Sequence, residues 1–239
     1  MNLQRYFDIS TSPDVSSLEG RLIEFAHYMD FPLVTAAVVT PGLTPRSEPI
    51  FRLIGNAPES FKATQLDVEI SKRDPVTKRL KSLSVPFIYD QSMYVAEGLG
   101  EAWEHQAKFG YRTGIAVALH LPGHKHFLLG VDRFAPLPKQ EGKVIRMMAD
   151  LQLLAVHAQS AAIRLFGSDQ DALKIPRFTP RELEILRWCM DGKSAWQTGA
   201  LLAISEATVN FHLRNVCTKL NVASKHQAVL KAVNMGLLF

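Results

Sequence analysis

Two side chains late in the sequence have the chemistry to read a nucleic-acid duplex. Asn210 and Arg214 stand one helical turn apart within Glu206–Leu220. An amide pairs with the N6/N7 edge of adenine and a guanidinium with O6/N7 of guanine, so this pair suits a major groove. Lys193, Ser205, Thr208, His212 and Lys219 surround it with the ammonium, hydroxyl and imidazole donors that grip phosphates and set register. A solvated polar face on an ordinary helical bundle would carry the same residue types, so spacing alone leaves both readings open. Other chemistries lack their machinery. The chain has no Gly-x-Ser-x-Gly elbow and no Gly-x-x-x-x-Gly-Lys-Ser/Thr loop, so no enzymatic activity is expected. His120, His124 and His126 cluster around Pro122-Gly123 without a nearby Cys or acidic partner; they read as a solvated hairpin, and no metal or other cofactor is expected. Cys189 and Cys217, the only cysteines, fall in helical segments and read as small buried thiols.

The elements that hold the base-reading pair have clear boundaries. Thr179-Pro180-Arg181-Glu182 is a complete capping box with proline at the first helical position, and that helix stops at Gly192. Ser194 to Gln197 is a second box opening a short helix to Leu202. Ser205 caps a third over Glu206–Leu220, and Ser224 to Gln227 caps a fourth that ends at Gly236. Val209, Leu213, Val216 and Leu220 fall on one stripe of the third helix, which leaves Asn210 and Arg214 on the other side. A short helix, a tight turn and a longer helix over roughly 194–220 form a helix-turn-helix.

Upstream, the polar stretch Gly167–Pro176 is the best seam in the chain. Before it the pattern mixes types: helices over Ser16–Met29, Pro75–Leu83, Gly100–Phe109 and Lys139–Phe166, and strands over Leu33–Val39, Pro49–Ile54, Val85–Tyr89, Thr113–Leu121 and Phe127–Phe134. The expected fold is α+β: an N-terminal α-β-α sandwich with an antiparallel sheet over 1–166, a linker over 167–176, and a C-terminal four-helix helix-turn-helix domain over 177–239.

Charge follows the same division. Of 239 residues, 47% are hydrophobic and 21% charged, the ordinary globular balance. The net charge of +4 is unevenly placed: from Lys174 onward nine Lys/Arg face four Asp/Glu, whereas the rest carries eighteen against nineteen. A basic excess confined to the last quarter suits a domain that meets DNA. No apolar run is long enough to span a bilayer and no signal peptide is apparent at the start, so a cytoplasmic protein without membrane contact is expected.

The full C-terminal run is more specific than its helix-turn-helix spacing. Phe178-Thr-Pro-Arg-Glu182-Leu-Glu-Ile-Leu186, Gly192-Lys-Ser194, Ile204-Ser205-x-x-Thr208-Val209-x-x-His212, Asn215, Lys219-Leu220 and Gly236-Leu-Leu238 resemble the DNA-binding domain of LuxR-type regulators. Gln197, Thr198 and Gly199 stand where that family usually has Glu-Ile-Ala. Gly55-Asn56-Ala57-Pro58, Asp74-Pro75, Pro86-x-x-Tyr89, Trp103 and Gly114 resemble, over roughly residues 15–165, the acyl-homoserine-lactone-binding domain of LuxR-type quorum-sensing receptors. A phosphorylated receiver domain would need a strand-end aspartate with an upstream acidic pair, and Asp8 and Asp14 precede no such strand.

The resemblance implies a ligand-responsive transcription factor, a homodimer on a two-fold symmetric site in double-stranded DNA, with RNA polymerase as a further partner. Its alternative is a dimeric factor whose front domain needs no ligand. The resemblance also implies a small-molecule signal, an acyl-homoserine lactone or a non-lactone analogue, bound near Phe61, Gln65, Asp74, Pro75, Tyr89, Trp103, Tyr111 and Gly130. Asp74 matches the family's acceptor for the ligand amide; an exposed loop aspartate before proline is the other reading. The family usually has Trp at Phe61, Tyr at Gln65 and Trp at Tyr89, and many relatives carry Ser or Thr near Gly130. Phe61 has no donor for a lactone carbonyl, so a polar head other than a lactone, or broad tolerance, is expected.

Overall fold

The computed structural model describes residues 3–42, 48–58, 72–170 and 176–238. Phe61 and Gln65 lie outside these. The chain divides into two compact units, one made of Met1–Leu121 with Lys125–Asp169, the other of Gln170–Phe239 with Pro122–His124.

The first unit opens with α1 (Gln4–Ser10) and α2 (Val15–Tyr28), followed by β1 (Leu33–Thr40) and β2 (Ile50–Gly55). Then come α3 (Pro75–Ser82), β3 (Phe87–Tyr89), α4 (Gln91–Ala96), α5 (Gly100–Ala107), the hairpin β4 (Thr113–Leu121) and β5 (Lys125–Arg133), and the long α6 (Glu141–Gln170). The strands form one sheet in the order β2-β1-β5-β4-β3, antiparallel at every step. One face carries Val34, Ala36, Val38, Ile115, Val117, Phe127, Leu129 and Val131, packed with Leu18, Leu22 and Phe25 of α2 and Leu151, Leu154 and Ala158 of α6. Burying each large side chain stabilises by about 1.5–3 kcal/mol, and a one-residue slip would turn the whole set to the opposite face, so this core fixes the register. On that opposite face α3 packs Leu80 against Phe87, Ala116 and Ala118. Helices thus cover both sides of an antiparallel sheet, the α+β arrangement expected. Two short helices, α1 and α4, go beyond the elements expected from the sequence, and α6 continues through Gly167–Gln170, residues read as the start of the linker.

The second unit is helical: α7 (Pro180–Met190), α8 (Ala195–Leu202), α9 (Glu206–Leu220) and α10 (Lys225–Asn234). Both capping boxes close. Thr179 Oγ1 accepts from the Glu182 amide while the Glu182 carboxylate accepts from the Thr179 amide, and Ser194 and Gln197 exchange the same pair of bonds. Gln197 therefore replaces the family's glutamate without loss of the cap. Ser205 and Ser224 cap α9 and α10. Between α8 and α9, Ala203 adopts the left-handed conformation (φ 54°) that makes the turn tight. Val209 and Leu213 pack on Ile185, and Val216 and Leu220 on Leu186, Ala228 and Ala232, so the predicted stripe of α9 is its buried face.

Candidate functional site

The second face of the sheet is built almost entirely from small residues. Register places Gly55, Thr35, Gly130, Ala116 and Phe87 in one row across β2, β1, β5, β4 and β3. Asp132, Gly114 and Tyr89 form the adjoining row, and Ala37, Leu128 and Ala118 lie on the other side. Glycine is required at position 114, because a Cβ there would lie 2.4 Å from Cζ and Oη of Tyr89. Without that atom, the Tyr89 ring lies across β4 and its hydroxyl donates to Asp132 Oδ1 at 2.5 Å.

This floor carries a buried polar cluster. Asp132 is 2% exposed, and Tyr89, Tyr94 and Tyr111 are all buried. Burial, opposed by the Tyr89 hydrogen bond and reinforced by the charge of Asp74, pushes the Asp132 carboxyl up to about 7. Burial and the neighbouring Asp132 likewise hold the Tyr89 hydroxyl well above its ordinary value. Tyr94 donates to Asp74 Oδ1 at 2.7 Å and its hydroxyl lies 3.2 Å from the Gln106 side-chain amide. Sequence reading missed Asp132. The signal was present but faint, a carboxylate inside the apolar alternation Phe127, Leu129, Val131 of β5.

The structure brings most predicted ligand residues to this side of the sheet. Asp74 proves to be the N-cap of α3: its Oδ2 accepts from the Thr77 amide and hydroxyl, and Pro75 follows as the first, buried helical residue. The helix-opening turn and the oriented acceptor are therefore the same feature, with a lone pair of Oδ1 left beyond Tyr94. Trp103 is buried beside Tyr94, but its indole N–H donates to the Arg112 carbonyl, so it packs rather than donates to a ligand. Tyr111 closes the corner beside Leu33, Ala57 and Phe109. Tyr89 has the hydroxyl that its family counterpart lacks, yet that donor is taken by Asp132. His120 and His126 face each other with Nδ1 atoms 2.8 Å apart, and His124 sits in the turn at φ 55°.

In the second unit Asn210 and Arg214 are exposed on α9, opposite its buried stripe. Ser205 and Thr208 bond each other at the helix start, and the His212 ring packs edge-on to Phe211. Lys193 is half-buried just before the second capping box. Lys219 departs from expectation. Its Nζ bonds both carboxylate oxygens of Glu182 at 2.6 and 2.8 Å and the Arg177 carbonyl at 3.0 Å, and it lies over the Phe178 ring. All three of its N–H donors are engaged, so it holds α9 to α7. Burial would raise the Glu182 carboxyl, but the bonds from Lys219 and Thr179 outweigh it and leave it below its usual range.

A helix-turn-helix with its polar face open, in one chain with a sheet whose small-residue face holds buried acceptors, is the make-up of a DNA-binding regulator with a separate ligand-binding domain. The comparisons agree. A family model for the autoinducer binding domain matches residues 15–162, and one for bacterial regulatory proteins of the luxR family matches residues 176–232. The chain belongs to the LuxR family of transcriptional regulators with an autoinducer-binding domain. It is 30% identical, over 77% of its length, to a putative HTH-type transcriptional regulator y4qH of Sinorhizobium fredii, and spans 56% of that protein. It is 28% identical to the HTH-type quorum sensing-dependent transcriptional regulator RpaR of Rhodopseudomonas palustris, over 84% of this chain and 82% of that protein. Its fold is similar to that of Escherichia coli SdiA (TM-score 0.77, 24% identity, 98% of this chain and 96% of that one) and to SdiA in complex with octanoyl-rac-glycerol (TM-score 0.78, 24% identity, 98% and 93%). Among the described residues no helix is long and apolar enough to cross a membrane, and no three His, Cys, Asp or Glu side chains gather to hold a metal.

Proposed function

We propose that this chain is a cytoplasmic, homodimeric, signal-gated transcription factor that engages RNA polymerase at a two-fold symmetric promoter site. The carrying observation is the sheet face itself: Thr35, Gly130 and Gly114 form a floor with little side chain beside the part that α3 covers, and Asp74 with Asp132 supplies oriented acceptors at its edge. Asp74, Pro75, Tyr89, Tyr111 and Gly130 line the signal, with Trp103 as packing; Phe61 and Gln65 belong to the same set by resemblance. Asn210 and Arg214 read bases, and Lys193, Ser205, Thr208 and His212 contact phosphates. The ligand unit spans 1–166 and the DNA-binding unit 177–239, and α6 runs into the first residues of the connecting segment, as far as Gln170. The signal is an acyl compound whose head need not be a lactone; the related SdiA fold, solved with octanoyl-rac-glycerol, supports that breadth.

One observation favours the ligand-independent alternative: Tyr89 satisfies one oxygen of Asp132, and Tyr94 and Thr77 satisfy Asp74, so the polar groups are partly self-sufficient. Mass spectrometry of small molecules released from the heat-denatured protein separates the two. Recovery of a stoichiometric apolar compound supports signal gating. An empty, soluble dimer that binds its site tightly supports the alternative.

A further inference from the structure

The sheet face holds a carboxylate with more acceptor capacity than the fold uses. Asp132 is almost wholly buried, its Oδ1 accepts from Tyr89, and among the described residues nothing donates to Oδ2. Oδ2 therefore keeps its acceptor capacity free for a donor. It lies beside Gly130. A Cβ built on Gly130 meets, among the described residues, only Tyr89 Oη at 3.8 Å and Asp132 Oδ2 at 4.0 Å. The cross-strand neighbours of Gly130 are the short side chains of Thr35 and Ala116.

We propose that Asp132 is a ligand-binding residue whose Oδ2 accepts a hydrogen bond from a hydroxyl on the head of the small molecule lying over Gly130. This rests on the small-molecule reading above and narrows it. Asp74 accepts, and Asp132 only accepts once ionised, above about pH 7, so in that range the head must carry at least two donors. An acyl-homoserine lactone offers one, its amide N–H. The donor is taken as a hydroxyl, which Oδ2 can bind without transfer of a charge into the apolar surroundings of Ala37, Ala116, Ala118, Leu128 and Phe87. Gly114 makes the site possible by letting the Tyr89 hydroxyl reach and fix the carboxylate.

The test titrates the full-length protein calorimetrically at about pH 8, where Asp132 is ionised, with 1-octanoyl-rac-glycerol and N-octanoyl homoserine lactone, which share an acyl chain and differ in head donors. The natural protein should bind the glycerol ester more tightly, by about tenfold. Asp132→Ala should weaken the ester about ten- to a hundredfold and leave the lactone within about threefold. Gly130→Ser is the second variant: its Cβ fits at ordinary contact distance and its hydroxyl can serve Oδ2 from within, so it too should lose the preference while keeping the fold. Equal affinity for both compounds, unmoved by either variant, overturns the role of Asp132 and leaves the small-molecule reading standing. A tighter lactone that Asp132→Ala weakens also overturns it, since the carboxyl would then act as a neutral donor. Binding of neither compound contradicts both readings.

Discussion

Lys219 and Arg214 are both cations of α9, yet their surroundings differ. Arg214 is exposed on the open face with Asn210, whereas Lys219 is bonded to Glu182, which is 3% exposed. Arg214→Ala or Asn210→Ala should weaken binding to the cognate duplex by about 1–3 kcal/mol and leave scrambled DNA almost unchanged. Fluorescence anisotropy on both duplexes checks this, and equal loss on the two would remove the base-reading role. Lys219→Ala should instead lower unfolding stability by about 1–3 kcal/mol, because a buried carboxylate loses its counter-charge, with the salt slope of DNA binding unchanged. Asp132 carries a pH signature. Its carboxyl rises from an ordinary 3.8 to about 7 on folding, so between those values the native state holds a proton that the unfolded chain has lost. Stability from this group is full below pH 4 or so and is lost as pH rises through about 7. Asp132→Asn should flatten the fall of Tm across that window; an unaltered Tm–pH profile would show that the group titrates normally. Glu182 acts in the opposite sense, its contribution being lost only on acidification.

The helices of the second unit were legible because their ends are chemically marked. Ser, Thr, Glu and Gln at fixed offsets announce a cap whatever the rest of the chain does, and all four predicted helices begin where those residues stand. In the first unit the long α2 and α6 and the paired strands carried enough periodicity to be read. Seven-residue α1 has no side-chain cap, and six-residue α4 is under two turns, so neither shows a period. The site was less legible because its pairs are non-local. Tyr89 reaches Asp132 only across Gly114 of the intervening strand, and Lys219 meets Glu182 from a different helix. One departure from the family pattern has an energetic consequence. Thr198, in α8, is completely buried and its hydroxyl has no partner among the described residues. Thr198→Val keeps the shape and removes that polar group, so it should stabilise the helical unit by about 1 kcal/mol, or roughly 4–8 °C in its transition. A lower Tm by calorimetry would show that the hydroxyl is satisfied after all.

At the scale of the whole molecule, charge and packing divide the labour between the two units. The basic excess lies in the helical unit that carries Asn210 and Arg214, while the near-neutral unit offers an apolar floor edged by carboxylates. If that floor is covered by a bound compound, ligand stabilises the fold by mass action and folding and sensing are linked. The most direct measurement compares DNA affinity of the purified protein before and after its small molecules are stripped, using a duplex that the protein itself selects from a random pool. Signal gating of a dimer predicts selected duplexes with two inverted half-sites, affinity that falls by at least about tenfold on stripping, and recovery when the released compound is returned. Unchanged affinity after complete stripping, on a duplex with a single asymmetric site, would contradict it.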